Sequence, residues 1–512
     1  SVNVSPELAY AMSDIPVIGQ AVRVVTFDRY VHNDNGYSAD VSTPKIEGIT
    51  DKKLEEKLNR EFKKNAKTII EKYEKKCSEI YPVNTDLYDE FHVKRGLRDK
   101  SGQGVVAGIT NISKIVACKK IDGINMPCEG ELYYRGYSIN ELVDGLIKDD
   151  RYGFEEVAHL LLLGELPNKS ALDEFNSTLS QLRKLPKNFT RDVILKAPTK
   201  DMMMSLSKSV LTLGSYDKKA DDISVPNVIR QCLMLISVFP MLAVYGYHAY
   251  NHFICDDSLY IHRPDDSLST AQNFLRMLRP DQKFSELEAK VLDLAFILHM
   301  EHGGGNNSTF TTRVVTSSGT DTYSAISAAL ASLKGPKHGG ANLKVVQMMK
   351  HIRENVRDIE DEDEVYAYLI KILKKEVFDR KGLIYGMGHA VYSLSDPRAQ
   401  VFKRFVEQLS KSKGKNKLYS FYELVERLAT KAIANERAIY KGVSANVDFY
   451  SGFVYSMLGI PVELYTPMFA IARIVGWSAH RLEELINADK IIRPSYIDTV
   501  KIRPYQNIGD RK

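Results

Sequence analysis

The sequence predicts a mainly α protein carrying a small α+β element at its N-terminus. Three observations point that way. From about residue 90 to the end, apolar residues recur at helical intervals in helix-length stretches, broken by Gly and Pro as at Gly164-Glu-Leu-Pro167 and Gly335-Pro336. Residues 1 to about 50 read differently: Ala21-Val-Arg-Val-Val-Thr-Phe27 is strand-like, and Asn35-Gly36 supplies a hairpin turn before a second strand from Tyr37 to Val41. Between the two regions lies a helix capped by Thr50, with Leu54, Leu58, Phe62, Ile69 and Tyr73 on one stripe and Lys and Glu on the other faces.

That stripe needs a partner surface, and the charged faces are expected to be solvated rather than to read nucleic acid. Further along, Cys232 to Tyr247 is free of charge. At 16 residues interrupted by Pro240 and Gly246 it falls short of the ~20 a membrane span needs, so a buried core helix is expected. Ser324 to Lys334 is rich in Ala and Ser, which suits a close helix approach in either a core or a subunit interface. One helix has both ends marked: Asp361, Glu362, Asp363 and Glu364 open it, Lys374, Lys375 and Arg380 lie near its end, and Gly382 follows.

A length of 512 residues corresponds to roughly three domains at about 150 residues each. Hydrophobic residues at 44%, charged residues at 26%, and ordinary Gly and Pro exclude disordered and collagen-like classes. Seventy basic against 65 acidic side chains leave a net charge of only +5, so no global field favours nucleic acid and any anion must be held locally. The five cysteines form no CxxC pair, as expected of reduced thiols in a cytoplasmic protein. The opening Ser1-Val-Asn-Val4 has no basic n-region or apolar h-region, so no signal peptide is expected, and no membrane association.

Four islands concentrate unusual residues: Leu298-His-Met-Glu-His-Gly-Gly-Gly-Asn306, Gly335-Pro-Lys-His-Gly-Gly-Ala-Asn342, Gly386-Met-Gly-His-Ala-Val-Tyr392 with Asp396-Pro-Arg398, and Asn446-Val-Asp-Phe-Tyr-Ser-Gly452. A His or Asp beside Gly stands where backbone can approach a ligand closely. Each also has an ordinary reading. His299 and His302, three apart, have the spacing of metal ligands, but no second pair at zinc spacing follows, and no metal is expected. His338 or His389 alone serves equally as a polar turn residue, and Asp448 as the cap of a helix starting near Phe449. Gly386-Met-Gly-His is too short for a dinucleotide fingerprint.

Taken together and in this order, the islands resemble the citrate synthase family, over about residue 80 to residue 510. His338 and His389 lie 51 positions apart, and Asp448 precedes Arg473 by 25 and Arg493 by 45, within Met468-Phe-Ala-Ile-Ala-Arg473 and Ile491-Ile-Arg-Pro494. Supporting matches are Gly104-Val-Val-Ala-Gly108, Tyr134-Arg-Gly-Tyr137, Phe154-Glu-Glu-Val157 and Ile261-His-Arg-Pro264.

The resemblance implies a two-domain helical fold: residues 61–338 as the first part of a large domain, 339–445 as an inserted small domain, 446–512 as the rest of the large domain, and 1–60 as an extension outside the family pattern. It implies that His338 holds the acetyl-CoA thioester oxygen, Asp448 takes the methyl proton, and His389 acts as acid toward the oxaloacetate carbonyl. His299, Arg398 and Arg473 would bind oxaloacetate. Leu383, Ile384, Tyr385, Gly386, Met387 and Gly388 would form the coenzyme A loop. Arg493 would reach the neighbouring site of a homodimer. No permanently bound cofactor is implied; acetyl-CoA is a co-substrate.

The chemistry agrees. Removing a weakly acidic methyl proton needs a base and, at once, a donor for the developing enolate oxygen. Two carboxylates on the acceptor suit Arg, whose planar fork stays charged. A neutral His338 is favoured at a helix N-terminus, and Val345, Met349 and Ile352 mark a helix starting just after it. 2-Methylcitrate synthase, acting on propionyl-CoA with the same residues, is the enzymatic alternative; a non-catalytic helical scaffold is the other.

Overall fold

The computed structural model describes residues 23–34, 37–47, 52–99, 104–121, 124–388, 391–392, 394–437, 443–487 and 490–511. It divides into two compact units, Ser1–Val105 and Val106–Lys512.

The first unit holds an antiparallel pair, β1 (Arg23–Asp34) and β2 (Tyr37–Glu47), in register from Arg23 opposite Glu47 to Asp34 opposite Tyr37, with a bulge between Val24 and Thr26. Both strands run well past the expected ends. Pro44 pairs in register with Phe27 in a two-stranded ribbon, where each strand has one unpaired edge and a missing N–H is tolerated. The expected turn, Asn35-Gly36, and the expected cap, Thr50, lie outside the described residues. Helix Lys52–Ile80 follows and runs unbroken through residue 60. Along its stripe Leu58 is half-buried, while Leu54, Ile69 and Tyr73 are 40%, 44% and 56% exposed.

The second unit opens with a feature the helical reading of this stretch missed, a three-stranded antiparallel sheet of β3 (Ser113–Ile121), β4 (Ile124–Tyr134) and β5 (Tyr137–Ser138). The signal was present in the sequence. Ile121 pairs with Ile124 across Asp122-Gly123, a dipeptide favoured in two-residue hairpins.

Helices make up the rest. Val225–Cys255 contains the expected apolar run and continues through Pro240. It is long and apolar enough to cross a membrane by length and composition, but 78% of its most apolar window is buried inside the protein, as in a core helix. Leu235, Val238, Phe239 and Leu242 seat it in the main core. The Ala- and Ser-rich helix, Thr322–Lys334, packs against Met202–Gly214 and Asn307–Ser317, where small side chains permit close approach. The acidic-headed helix is shorter than expected. Asp361 caps it through the N–H groups of Asp363 and Glu364, but it ends at Leu373, once its buried series Val365, Leu369, Ile372 is spent. Lys375 and Arg380 then take left-handed backbone (φ 65 and 55) in the following turns.

Two helices present most of the candidate site: Tyr465–Asn487, packed against Val225–Cys255, Glu286–His299, Asn307–Ser317 and Thr322–Lys334, and Val447–Met457, packed against Ala341–Asn355 and Pro397–Ser412.

Candidate active site

Arg473 is fully buried on helix Tyr465–Asn487. Its Nε donates to the His299 carbonyl at 2.7 Å and its guanidinium lies 4.7 Å from the Phe469 ring centroid. Its two terminal nitrogens have no partner among the described residues. Desolvation lowers its pKa to about 10, so it remains a cation. The buried Glu301 carboxylate offsets part of that charge, but N–H groups buried without an acceptor remain costly until a ligand meets them.

Arg398 is buried too, but supported. At the start of helix Pro397–Ser412, its Nε and Nη2 grip Asp396 at 3.0 and 2.7 Å. Burial alone would lower its pKa; Asp396 holds it above the usual value instead. Asp396 also accepts from the Val447 N–H at 3.3 Å, tying Arg398 to the helix that carries Asp448.

The ordinary reading of Asp448 fails. Helix Val447–Met457 is capped by Asn446, whose side chain accepts from the Asp448 N–H at 3.0 Å, leaving the Asp448 carboxyl uncommitted to capping. The residue keeps some exposed surface, yet its carboxyl is withdrawn from water: desolvation pushes it up to about 6, with Arg398 pulling it down and Asp396 pushing it up. Arg398 and Arg473 also act on His299, and Arg473 on His338, so these groups share one site.

His338 is partly buried, and desolvation, then Arg473, lower its pKa to about 4; it is neutral. Its Nε2 lies 3.0 Å from Ser308 Oγ and faces the Ser308 backbone N–H at 3.4 Å. That N–H is an orphan donor in the first turn of helix Asn307–Ser317. Helix Ala341–Asn355 does start just after His338, as expected, but the helix N-terminus bonded to the ring is this other one.

His389 lies outside the described residues. The strand of chain leading to it is laced to the approach of Asp448: Gly388 N–H donates to the Ser444 carbonyl, Asn446 N–H to that of Gly386, and the Asn446 side chain to that of Gly388, at 2.8, 2.9 and 2.8 Å. Met387 forms a bridge with Ala445. Gly386 must be glycine, because φ is +79 and a Cβ would come within 2.8 Å of Val345 and 2.9 Å of Phe449. In the same loop Leu383 is exposed, Ile384 is buried, and the Tyr385 hydroxyl donates to Asp379 at 2.6 Å. The Lys344 ammonium sits over the Phe378 and Tyr385 rings.

His299 enters the site in an unexpected form. Its Nδ1 lies 3.1 Å from the Ala295 carbonyl and so donates to it; Nε2 has no hydrogen-bond partner among the described residues, and the neutral ring stands edge-to-face with Phe469 and Phe402. Nε2 therefore presents a lone pair, not a proton. The second histidine of that island, His302, is also buried, with its ring against Tyr392 at 5.4 Å. Arg493 is exposed in the C-terminal segment 490–511 and is not drawn into the site of its own chain. Asp396 and Asn446 lie in two of the islands but had no role read from the sequence, and Ser308 lies just outside them; the structure makes all three supporting residues.

The family model for the citrate synthase C-terminal domain matches residues 99–495. The chain belongs to the citrate synthase family. It is an acyltransferase, catalysing a condensation that takes an acyl group from coenzyme A. Among curated relatives, a citrate synthase of Synechocystis sp. is 37% identical over 72% of this chain and 85% of its own length. A 2-methylcitrate synthase of Shewanella oneidensis is 32% identical over 73% and 89%. Among solved structures, citrate synthase from Thermoplasma acidophilum, in ternary complex with carboxymethyl coenzyme A and oxaloacetate, aligns with a TM-score of 0.66 and 28% identity over 81% of this chain and 98% of that one. The residues before 99 lie outside the family match.

Proposed function

We propose that this enzyme condenses acetyl-CoA with oxaloacetate and water to give citrate and CoA through a citryl-CoA intermediate. The observation that carries the reading is Arg473, a buried guanidinium with both terminal nitrogens idle, electrostatically coupled to Asp448 and His338. The relative solved with oxaloacetate and a coenzyme A analogue supports this substrate pair.

Arg398 and Arg473 take the oxaloacetate carboxylates. Asp448, made more basic by its loss of water, removes a proton from the thioester methyl group while neutral His338 donates from Nδ1 to the enolate oxygen. The enolate carbon bonds to the keto carbon, and His389 gives the resulting alkoxide a proton. Water then cleaves the thioester, releasing CoA. With Nδ1 of His299 committed to Ala295, His302 is the donor from that island toward the keto oxygen, and His299 supports Arg473 through its carbonyl.

The enzyme works as a homodimer in which Arg493 completes the neighbouring site. Exposed apolar residues along the C-terminal segment, among them Tyr496, Val500 and Ile502, support a second copy covering that segment. Residues 339–445 move as a small domain about Gly339-Gly340 and the approach to Asn446, closing the site against water. Free thiols at all five cysteines suit a cytoplasmic address.

One methylene in the acyl pocket is worth only ~1 to 3 kcal/mol, so propionyl-CoA is the competing substrate, and the Shewanella relative gives it substance. Thiol release with acetyl-CoA and with propionyl-CoA, each with oxaloacetate, tests the reading. A higher kcat/KM for acetyl-CoA is expected; preference for propionyl-CoA selects 2-methylcitrate synthase, and no thiol release with either overturns both.

A further inference from the structure

The chain has a single tryptophan, Trp477, fully buried one turn beyond Arg473 on the same helix. Its indole nitrogen lies 3.1 Å from Ser308 Oγ, the oxygen that stands 3.0 Å from His338 Nε2. Indole only donates, so Oγ accepts from it. The serine hydroxyl has one proton and two acceptors within reach, His338 Nε2 and, at 2.9 Å, Asn306 Oδ1.

The Ser308 backbone N–H decides between them. It can only donate, and it is directed at His338 Nε2; a proton on that nitrogen would point straight back at it. Nε2 therefore carries a lone pair, which the serine proton can also meet. Turning the Asn306 amide so that its NH2 faces Oγ satisfies the remaining contact without moving an atom of Ser308.

We propose that Trp477 is a positioning residue for the condensation: by donating to Ser308 Oγ it turns the serine proton toward His338 Nε2, which holds the imidazole in the tautomer with its proton on Nδ1. This rests on the assignment of His338 to the thioester oxygen. It adds that the helix bearing the oxaloacetate arginine also prepares the donor that stabilises the enolate, through a chain of two hydrogen bonds.

The most direct test uses the unaltered protein. In the full-length protein labelled with 15N-histidine, with His338 assigned by comparison with His338→Gln, Nε2 should resonate as an unprotonated and Nδ1 as a protonated nitrogen; the reverse pattern overturns the proposal. Kinetics supply a second test. Trp477→Phe keeps the ring and removes the donor, and should lower kcat by about 3- to 10-fold, with the oxaloacetate KM within about twofold. Ser308→Ala should lower kcat by about 10- to 100-fold. Because Trp477 acts only through Ser308, adding Trp477→Phe to Ser308→Ala should cost nothing further in kcat. An equal loss in both backgrounds would mean that the indole merely fills space. If the citrate synthase reading itself were wrong, the parent enzyme would show no turnover with acetyl-CoA and oxaloacetate, whereas failure of the relay leaves parental turnover intact.

Discussion

Helix Tyr465–Asn487 buries two guanidinium groups about two turns apart, and their surroundings are opposite. Arg481 is fully engaged: Nε donates to Thr322 Oγ1, Nη1 to Thr316 Oγ1 and Nη2 to the Thr320 carbonyl, at 3.2, 3.0 and 2.8 Å. Arg473 makes one bond through Nε, and its terminal nitrogens have no hydrogen-bond partner among the described residues. Burial alone therefore does not distinguish a structural arginine from a functional one. What distinguishes them is whether the fold supplies hydrogen-bond acceptors: the buried Glu301 carboxylate offsets part of the Arg473 charge, but among the described residues nothing accepts from its terminal nitrogens.

The comparison can be broken by exchanging each arginine for Met. Arg473→Met should weaken oxaloacetate binding by about 10²- to 10³-fold, or about 3 to 4 kcal/mol, while the thermal midpoint stays level or rises. Arg481→Met should do the reverse, costing about 2 to 3 kcal/mol of stability with oxaloacetate affinity near normal, because it strands acceptors the fold had satisfied. Calorimetric binding and thermal unfolding of both variants measure the two axes together. If both variants lose stability equally and neither loses affinity, Arg473 is structural.

A third arginine sharpens the contrast from outside the chain's own site. Arg493 is exposed here, and its proposed role lies in the partner's site. Mixing Arg493→Ala with Asp448→Asn subunits should restore about a quarter of wild-type activity, since half of randomly paired dimers have one intact site out of two. Confirmed heterodimers without activity would reject the trans role. The smallest effect is expected at the other end of the chain. Truncation to start near Phe62 should leave turnover within about twofold, because the family match begins only at residue 99; a folded truncated enzyme with greatly reduced turnover would contradict this.

Much of the site was legible because its residues announce themselves locally: His and Asp beside Gly, in islands whose order carries the family resemblance. The helical body was legible from 3.6-residue periodicity, and Asp361 from its acidic first turn. The supporting partners were not. Asp396 reaches Val447 across 51 residues and Trp477 reaches Ser308 across 169, and no window of sequence shows such a pairing. The tautomer of His299 also needed structure, since only the bond to Ala295 reveals which of its imidazole nitrogens is committed. The β3–β4 hairpin was missed for another reason: Asp122-Gly123 was a usable turn signal, overridden by the helical pattern on either side.

Proton abstraction by Asp448 is the central step of the proposed reaction, and Asp448→Asn tests it most directly. Asn keeps the shape and would serve as well in any capping role, but has no basicity. Turnover should fall by about 10²- to 10⁴-fold while oxaloacetate affinity, assigned in the proposal to Arg398 and Arg473, should change little. In the parent enzyme the Asp448 carboxyl, raised to about 6, is ionised above that pH and protonated below it, so kcat/KM for acetyl-CoA should decline as pH falls through about 6. Near-normal turnover in a folded Asp448→Asn enzyme would contradict the catalytic assignment.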